Sequence, residues 1–87
     1  MPIAWIPHPM REVTGGIEKV TVEAANVREA IRALEGLYPS LVGLLIQNDE
    51  LRKGIAIAVD GRIVRRGLYE PLRSDSEIHF IPALGAG

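Results

Sequence analysis

Alternation of apolar and polar residues predicts strands with one buried face in two stretches of the chain. In residues 17–23, Val20 and Val22 share one face and the polar residues share the other. In residues 55–59, isoleucine and valine alternate with two alanines, which predicts the clearest strand. Three further β-prone runs are short, and they cover residues 3–6, 62–65 and 77–81.

One stretch has the 3.6-residue period of an amphipathic helix. Its apolar stripe falls at positions i, i+3, i+4 and i+7, namely Val27, Ala30, Ile31 and Leu34. The residues off this stripe are expected to face water, and they are Arg28, Glu29, Arg32 and Glu35. Asn26 is a good N-cap that Glu29 completes as a capping-box-like pair, and Gly36 is the expected C-cap.

Turn-forming residues separate these elements. Tyr38-Pro39 ends the helix, because the residue before proline avoids the α region, and further helical turns are expected from about Ser40. Residues 47–54 are expected to form a polar loop, and residues 66–76 an irregular connector. Asp60-Gly61 predicts a tight hairpin between the strands on either side.

The order of elements is therefore two strands, a helix with a short helical piece, and three strands. A single long helix must cover one face of a mixed sheet, since no other element buries its stripe. The expected class is α+β, a ubiquitin-like β-grasp with a sheet of four or five strands packed on one main helix. We expect one domain over residues 1–82 and a flexible tail over residues 83–87.

The tail follows the last strand and contains almost no apolar surface. Gly85, Ala86 and Gly87 are small, and Leu84 is the one large side chain. Fully extended, residues 82–87 reach about 20 Å, far enough to enter the active site of another protein. The alternative is that a frayed terminus with small residues has no function.

Composition excludes several classes of function. The net charge is −1, with ten basic and eleven acidic residues interspersed, so no basic excess indicates nucleic acid binding. The absence of cysteine excludes disulfides, thiolate metal sites and a cysteine nucleophile. No apolar stretch is close to the length of about 20 residues that a membrane-spanning helix needs. Residues 1–7 lack the pattern of a signal peptide. We expect a cytoplasmic protein without a metal site.

A series of short motifs has the order and spacing of one known family. They are Ile6-Pro7, Arg11, Thr14-Gly15-Gly16, Val27…Ile31…Leu34-Glu35, Tyr38-Pro39, Val59-Asp60-Gly61, Asp75-Ser76-Glu77 and Ile81-Pro82-Ala83-Leu84. Each motif alone is weak, but together they cover nearly the whole chain. The chain resembles the ubiquitin-like sulfur carriers of the MoaD/ThiS family, most of all the cysteine-synthesis (CysO-type) and archaeal MoaD-like branch.

The resemblance implies a carrier and not an enzyme. In this family an adenylyltransferase related to ubiquitin-activating enzymes uses ATP to adenylate the terminal glycine carboxylate, and sulfur then displaces AMP to give a thiocarboxylate. The reactive position implied here is Gly87. The sulfur passes to an acceptor enzyme of the cysteine synthase, molybdopterin synthase large subunit or thiazole synthase type. The carrier itself binds no cofactor.

One position departs from the family pattern. The family ends in Gly-Gly, whereas Ala86 stands before Gly87 here. The alanine methyl group adds bulk in a channel built for bare backbone, although alanine still adopts an extended conformation. Two other functions stay open: a ubiquitin-like protein-binding subunit whose tail is never activated, and a ubiquitin-like modifier that is joined to lysines.

Strand parity predicts a surface for protein docking. If Ile78 and Phe80 face the helix and Ile6 lies in the core, the opposite sheet face carries Trp5, Ala56, Ala58, His79 and Ile81. The resemblance implies that this face docks on the activating and acceptor enzymes. The alternative is a register shifted by one residue, which places Trp5 in the core.

Four arginines follow or flank the last predicted hairpin, namely Arg62, Arg65, Arg66 and Arg73. They form either a solvated edge that discourages strand pairing between molecules or a basic rim that attracts an acidic partner.

Overall fold

The computed structural model describes residues 1–82, in which the sheet and the helix form two layers. The helix is α1 (Val27–Leu37), and short 3-10 turns cover His8–Met10, Pro39–Leu41 and Gly67–Tyr69. The strands are β1 (Ile3–Trp5), β2 (Lys19–Thr21), β3 (Ile46–Gln47), β4 (Glu50–Leu51), β5 (Ile55–Val59), β6 (Arg62–Ile63) and β7 (Glu77–Pro82).

Five strands form a mixed sheet in the order β2-β1-β7-β5-β6, and β3 and β4 pair as a separate small hairpin. The strands β1 and β7 pair in parallel, and the other neighbours in the sheet are antiparallel. The first and last strands of the domain therefore lie side by side in the middle of the sheet. The predicted α+β fold, a β-grasp with one helix on a mixed sheet, is confirmed.

The core lies between α1 and the sheet. The whole predicted stripe of α1 is buried, and it packs in one cluster with sheet residues that include Ile57, Ile78 and Phe80. Leu41 and Leu45, after the helix, close one end of this cluster. Burial of apolar surface stabilises the fold by about 25 cal/mol for each Å² removed from water, so the stripe is the main contribution of α1.

The beginning of α1 is capped as the sequence predicts. The Oδ1 atom of Asn26 accepts a hydrogen bond of 2.9 Å from the backbone N–H of Glu29. In return, Oε1 of Glu29 accepts one of 2.9 Å from the backbone N–H of Ala25. This second bond is made one residue earlier than in a standard capping box, and the pair still satisfies two backbone donors.

The end of α1 differs from the prediction. Gly36 is not the C-cap: it lies inside the helix, its backbone is not left-handed, and the helix continues to Leu37. Tyr38 is the C-cap, and its N–H donates to the carbonyl of Leu34 at 2.7 Å. Pro39 then begins a 3-10 turn, so proline and not glycine sets the end of the helix.

The polar side of α1 is partly covered, so the expectation that Glu35 faces water is wrong. Glu35 is only 7% exposed, and its Oε1 atom accepts a hydrogen bond of 2.7 Å from Arg32. Arg28 and Arg32 also reach Asp49, at 3.0 and 3.6 Å. Asp49 is part of the β3–β4 turn, so a hairpin packs beside the helix where a loop is expected at 47–54.

Two-residue turns with left-handed backbone close both tight hairpins. Asp60 and Gly61 have φ values of 52° and 83°, as in a type I′ turn, which confirms the hairpin between β5 and β6. Asn48 and Asp49 have φ values of 56° and 61° and connect β3 to β4. The strands expected at 17–23 and 62–65 are shorter, and the connector at 66–76 contains the turn Gly67–Tyr69.

Two leucines of α1 test the role of its buried stripe. Leu34→Ala should lower the free energy of unfolding by about 2–5 kcal/mol, because it leaves a cavity in the core. Leu37→Ala should change it by no more than about 0.5 kcal/mol, since Leu37 is 59% exposed. Urea unfolding measures both, and equal losses would contradict the packing described.

Substitution of two glycines by alanine tests whether α1 continues through Gly36. A Cβ on Gly36 or on Gly61 meets no atom within 4 Å, so backbone conformation alone separates them. Gly36→Ala should stabilise the protein by about 0.5–1 kcal/mol, because alanine favours a helix interior. Gly61→Ala should destabilise it by about 1–2 kcal/mol, since its φ is +83°. Destabilisation by Gly36→Ala would restore Gly36 as a left-handed cap.

Candidate functional site: an aromatic sheet face beside the end of the last strand

The predicted reactive tail, with Leu84, Gly85, Ala86 and Gly87, lies outside the described residues. The last described residue, Pro82, ends β7 and pairs with Ile55 at the beginning of β5. Because β7 lies between β1 and β5, the chain leaves the domain from the middle of the sheet. The strand β1 runs parallel to β7 and ends at this same edge.

The sheet face opposite α1, called the open face below, carries the residues predicted for docking. Ala4 and Ile6 are buried, whereas Trp5 between them is half-buried on the other side. Ile78 and Phe80 are likewise buried toward the helix, and His79 is exposed. The register shifted by one residue is thus not the one adopted. That this face docks on a partner stays a prediction.

Strand register places five side chains of the open face in one row across the sheet. His79 of β7 pairs with Trp5 on one side and with Ala58 on the other. The outer strands extend the row, because Lys19 of β2 pairs with Trp5 and Ile63 of β6 pairs with Ala58. Side chains directly opposite each other lie close enough to interact, so the row is one continuous surface.

Three neighbours contact the Trp5 indole. The ring of His79 stacks on it with centroids 5.3 Å apart and an angle of 11° between planes. The Nζ atom of Lys19 lies 5.2 Å from the ring centroid, within the range of a cation–π interaction. The indole Nε1 donates a hydrogen bond of 2.9 Å to Oε1 of Glu77.

Aliphatic side chains extend this aromatic centre toward β5 and β6. Ala56 pairs with Ile81, next to the row, and Ile81 is 41% exposed. Ala58 is only 8% exposed and Ile63 is 61% exposed. Sequence reasoning missed Ile63 and Lys19, because only the register of β6 and β2 shows that they share this face.

The loop between β1 and β2 contains a surface concavity of about 510 Å³, lined by His8, Pro9, Arg11, Glu12, Gly15 and Gly16. Its hydrogen bonds are internal: Arg11 Nε donates to the carbonyl of Ile6 at 3.2 Å, and Oγ1 of buried Thr14 lies 2.9 Å from the carbonyl of Ile17. These contacts explain Arg11 and Thr14 as residues that hold the loop against β1.

Neither a metal site nor a membrane span is present in residues 1–82. No group of three or more His, Asp or Glu side chains there is arranged to hold a metal ion. No helix in the same range is long and apolar enough to cross a bilayer.

One family model matches nearly the whole chain. The model of the ThiS family matches residues 5–87. A chain of the Amycolatopsis orientalis BexX/CysO complex has 26% identity and a TM-score of 0.90, with 100% of both chains covered. SAMP1 from Haloferax volcanii has 26% identity and a TM-score of 0.80, with 99% and 98% covered.

CysO from Mycobacterium tuberculosis has 24% identity and a TM-score of 0.86, with 97% of this chain and 100% of that chain covered. At that identity the likeness shows the shared fold. No curated protein sequence is significantly similar to this chain.

The stacked pair on the open face has a measurable coupling. We expect Trp5→Ala and His79→Ala to be non-additive, with an interaction free energy of about 0.5–1.5 kcal/mol, the usual range for stacked rings. Urea unfolding of both single variants and the double variant measures it. The control cycle pairs Trp5→Ala with Ile63→Ala, which lies three strands away and should add. Additivity of the first cycle would show that the rings do not stack in solution.

Proposed function

This chain belongs to the ThiS family, and from that premise we propose that it carries sulfur as a thiocarboxylate on Gly87. In this proposal the chain is the substrate of an adenylyltransferase and has no catalytic site of its own. The observation that carries the proposal is the direct continuation of a central strand, β7, into residues 83–87.

The length and composition of that segment suit entry into a partner's active site. Five residues extend up to about 17 Å at about 3.4 Å each. Leu84 is the one large side chain in this segment, and the small residues after it suit a narrow channel. The folded domain is too wide to enter such a channel, so it holds the segment at the entrance while Gly87 reacts inside.

Two displacements produce the thiocarboxylate. A carboxylate oxygen of Gly87 attacks the α-phosphorus of ATP, and pyrophosphate leaves, which gives an acyl adenylate. A hydrosulfide ion then attacks the acyl carbon and AMP leaves, which gives the thiocarboxylic acid, and this loses its proton to give the thiocarboxylate. Because the chain contains no cysteine, the sulfur it carries must be held by this carboxyl group.

The open face is the proposed docking surface for the adenylyltransferase and for the acceptor enzyme. Its centre is aromatic and aliphatic with polar neighbours, the composition that protein interfaces favour. The predicted residues of this centre are Trp5, Ala56, Ala58, His79 and Ile81. The similar CysO fold has been crystallised in a complex with BexX, which supports the use of a protein partner. The acceptor belongs to the cysteine synthase, molybdopterin synthase large subunit or thiazole synthase type.

A second candidate function is protein modification. The likeness to SAMP1 at 26% identity over 99% of this chain favours it, since a relative named SAMP1 is described as a small archaeal modifier protein. In this role the activated Gly87 carboxyl forms an isopeptide bond with a lysine amine. The same adenylation serves both functions, so they differ in the nucleophile that follows.

The thiocarboxylate is testable by intact mass of the chain purified from its native host, before and after a thiol-alkylating reagent. We expect a fraction heavier by the difference between sulfur and oxygen, which is alkylated although the chain has no cysteine. Deletion of Gly87 should abolish it, because the reactive carboxyl is displaced. Ala86→Gly should retain it and shows whether the alanine slows activation.

Survival of the alkylated species in the Gly87 deletion would refute Gly87 as the site. Lysine-linked conjugates without any alkylated fraction would favour the modifier function.

A further inference from the structure

The indole of Trp5 is held in one orientation before any partner binds. Glu77 fixes the Nε1 edge through a hydrogen bond of 2.9 Å, His79 stacks on the ring from β7, and Lys19 lies over it from β2. Trp5 and Lys19 are cross-strand partners, as are Trp5 and His79. These contacts come from both neighbouring strands, so the ring is held between β2 and β7 and is half-exposed.

A half-exposed tryptophan held in this way is suited to anchor an interface. Tryptophan is enriched among the few residues that contribute most of the binding free energy. Ordering a mobile side chain on binding costs about 0.5–1.5 kcal/mol, and the three contacts reduce that cost for Trp5. The hydrogen bond that the indole donates to Glu77 is the directional one, because stacking and cation–π contacts tolerate rotation of the ring in its plane.

The charged side chains around Trp5 differ in whether they already have a hydrogen-bond or ion-pair partner within the domain. Oε1 of Glu77 accepts the indole N–H, and Oδ1 of Asp60 accepts the backbone N–H of Glu77 at 2.9 Å. Both of these acids therefore accept a hydrogen bond from within the domain. Lys19 is exposed and contacts the ring face. In the described part of the chain Lys19 forms no ion pair.

We propose that Glu77 is a positioning residue that holds Trp5 as the anchor of docking, and that Lys19 selects a partner surface with a carboxylate beside an apolar centre. The inference rests on the proposed function, in which an adenylyltransferase docks on the open face. The occupant is the docking surface of that adenylyltransferase, an apolar surface with a carboxylate placed opposite Lys19, whose charge it complements.

The test is ATP–pyrophosphate exchange by the adenylyltransferase of the native host, with the carrier as the varied substrate. Glu77→Ala should raise KM for the carrier by up to about tenfold with kcat unchanged, because Trp5 must then be ordered on binding. Glu77→Gln keeps an oxygen acceptor and should restore most of the affinity. Urea unfolding of both variants shows that they remain folded.

The charge of Lys19 is tested in the same assay with one substitution that removes it and one that keeps it. Lys19→Gln should raise KM about threefold and weaken its dependence on salt, because rim charges act mainly on association. Lys19→Arg keeps the charge and should behave as the unchanged protein does.

Trp5 is the only tryptophan, so its fluorescence reports the anchor in the isolated protein. Glu77→Ala should make acrylamide quenching of Trp5 stronger, and Glu77→Gln should not. Unchanged quenching and unchanged KM in Glu77→Ala would overturn the inference while the exchange itself upholds the proposed function. Absence of exchange with the unchanged carrier would overturn the proposed function and this inference together.

Discussion

The parallel pairing of β1 with β7 is the constraint on which the rest of the structure depends. It joins Ile3–Trp5 to Glu77–Pro82, and the hydrogen bond between Trp5 and Glu77 spans 72 positions of the sequence. Closing so long a loop costs entropy before any contact forms, and the buried stripe of α1 offsets that cost once both strands lie beneath it.

The central position of β7 also connects the two parts of the proposed site. His79 and Ile81 point to the open face, while Phe80 between them points to the core. The same strand then leads, without an intervening turn, to residues 83–87. A partner that holds the open face therefore also fixes the point from which Gly87 is presented. In the proposed function, docking and presentation therefore both depend on one strand.

The features that depend on local periodicity could be predicted from the sequence, and those that depend on residues distant in sequence could not. The stripe of α1, the Asn26 cap and the Asp60-Gly61 turn each depend on a few adjacent residues, and all three are found. Glu35 is buried although it lies on the polar side of α1. Its pair with Arg32 is local, at i and i+3, but the β3–β4 hairpin that Arg32 also reaches through Asp49 is distant in sequence. That hairpin was missed because its strands have two residues each and its turn uses Asn48-Asp49 without glycine. Alternation places Lys19 opposite Val20 and Val22, but its contact with Trp5 depends on the register of β2 with β1. Ile63 joins the open face through the register of β6 with β5, which periodicity does not specify.

The direction of the two central strands has a mechanical consequence. The chain enters β1 at one end of the paired strands and leaves β7 at the opposite end, since the two strands run parallel. A force that pulls the two ends of the domain apart therefore acts along the strands, in shear. It loads the hydrogen bonds between β1 and β7 at the same time and cannot open them one after another as a zipper. An unfolding machine that grips the tail and pulls meets the strongest resistance at the first element it reaches.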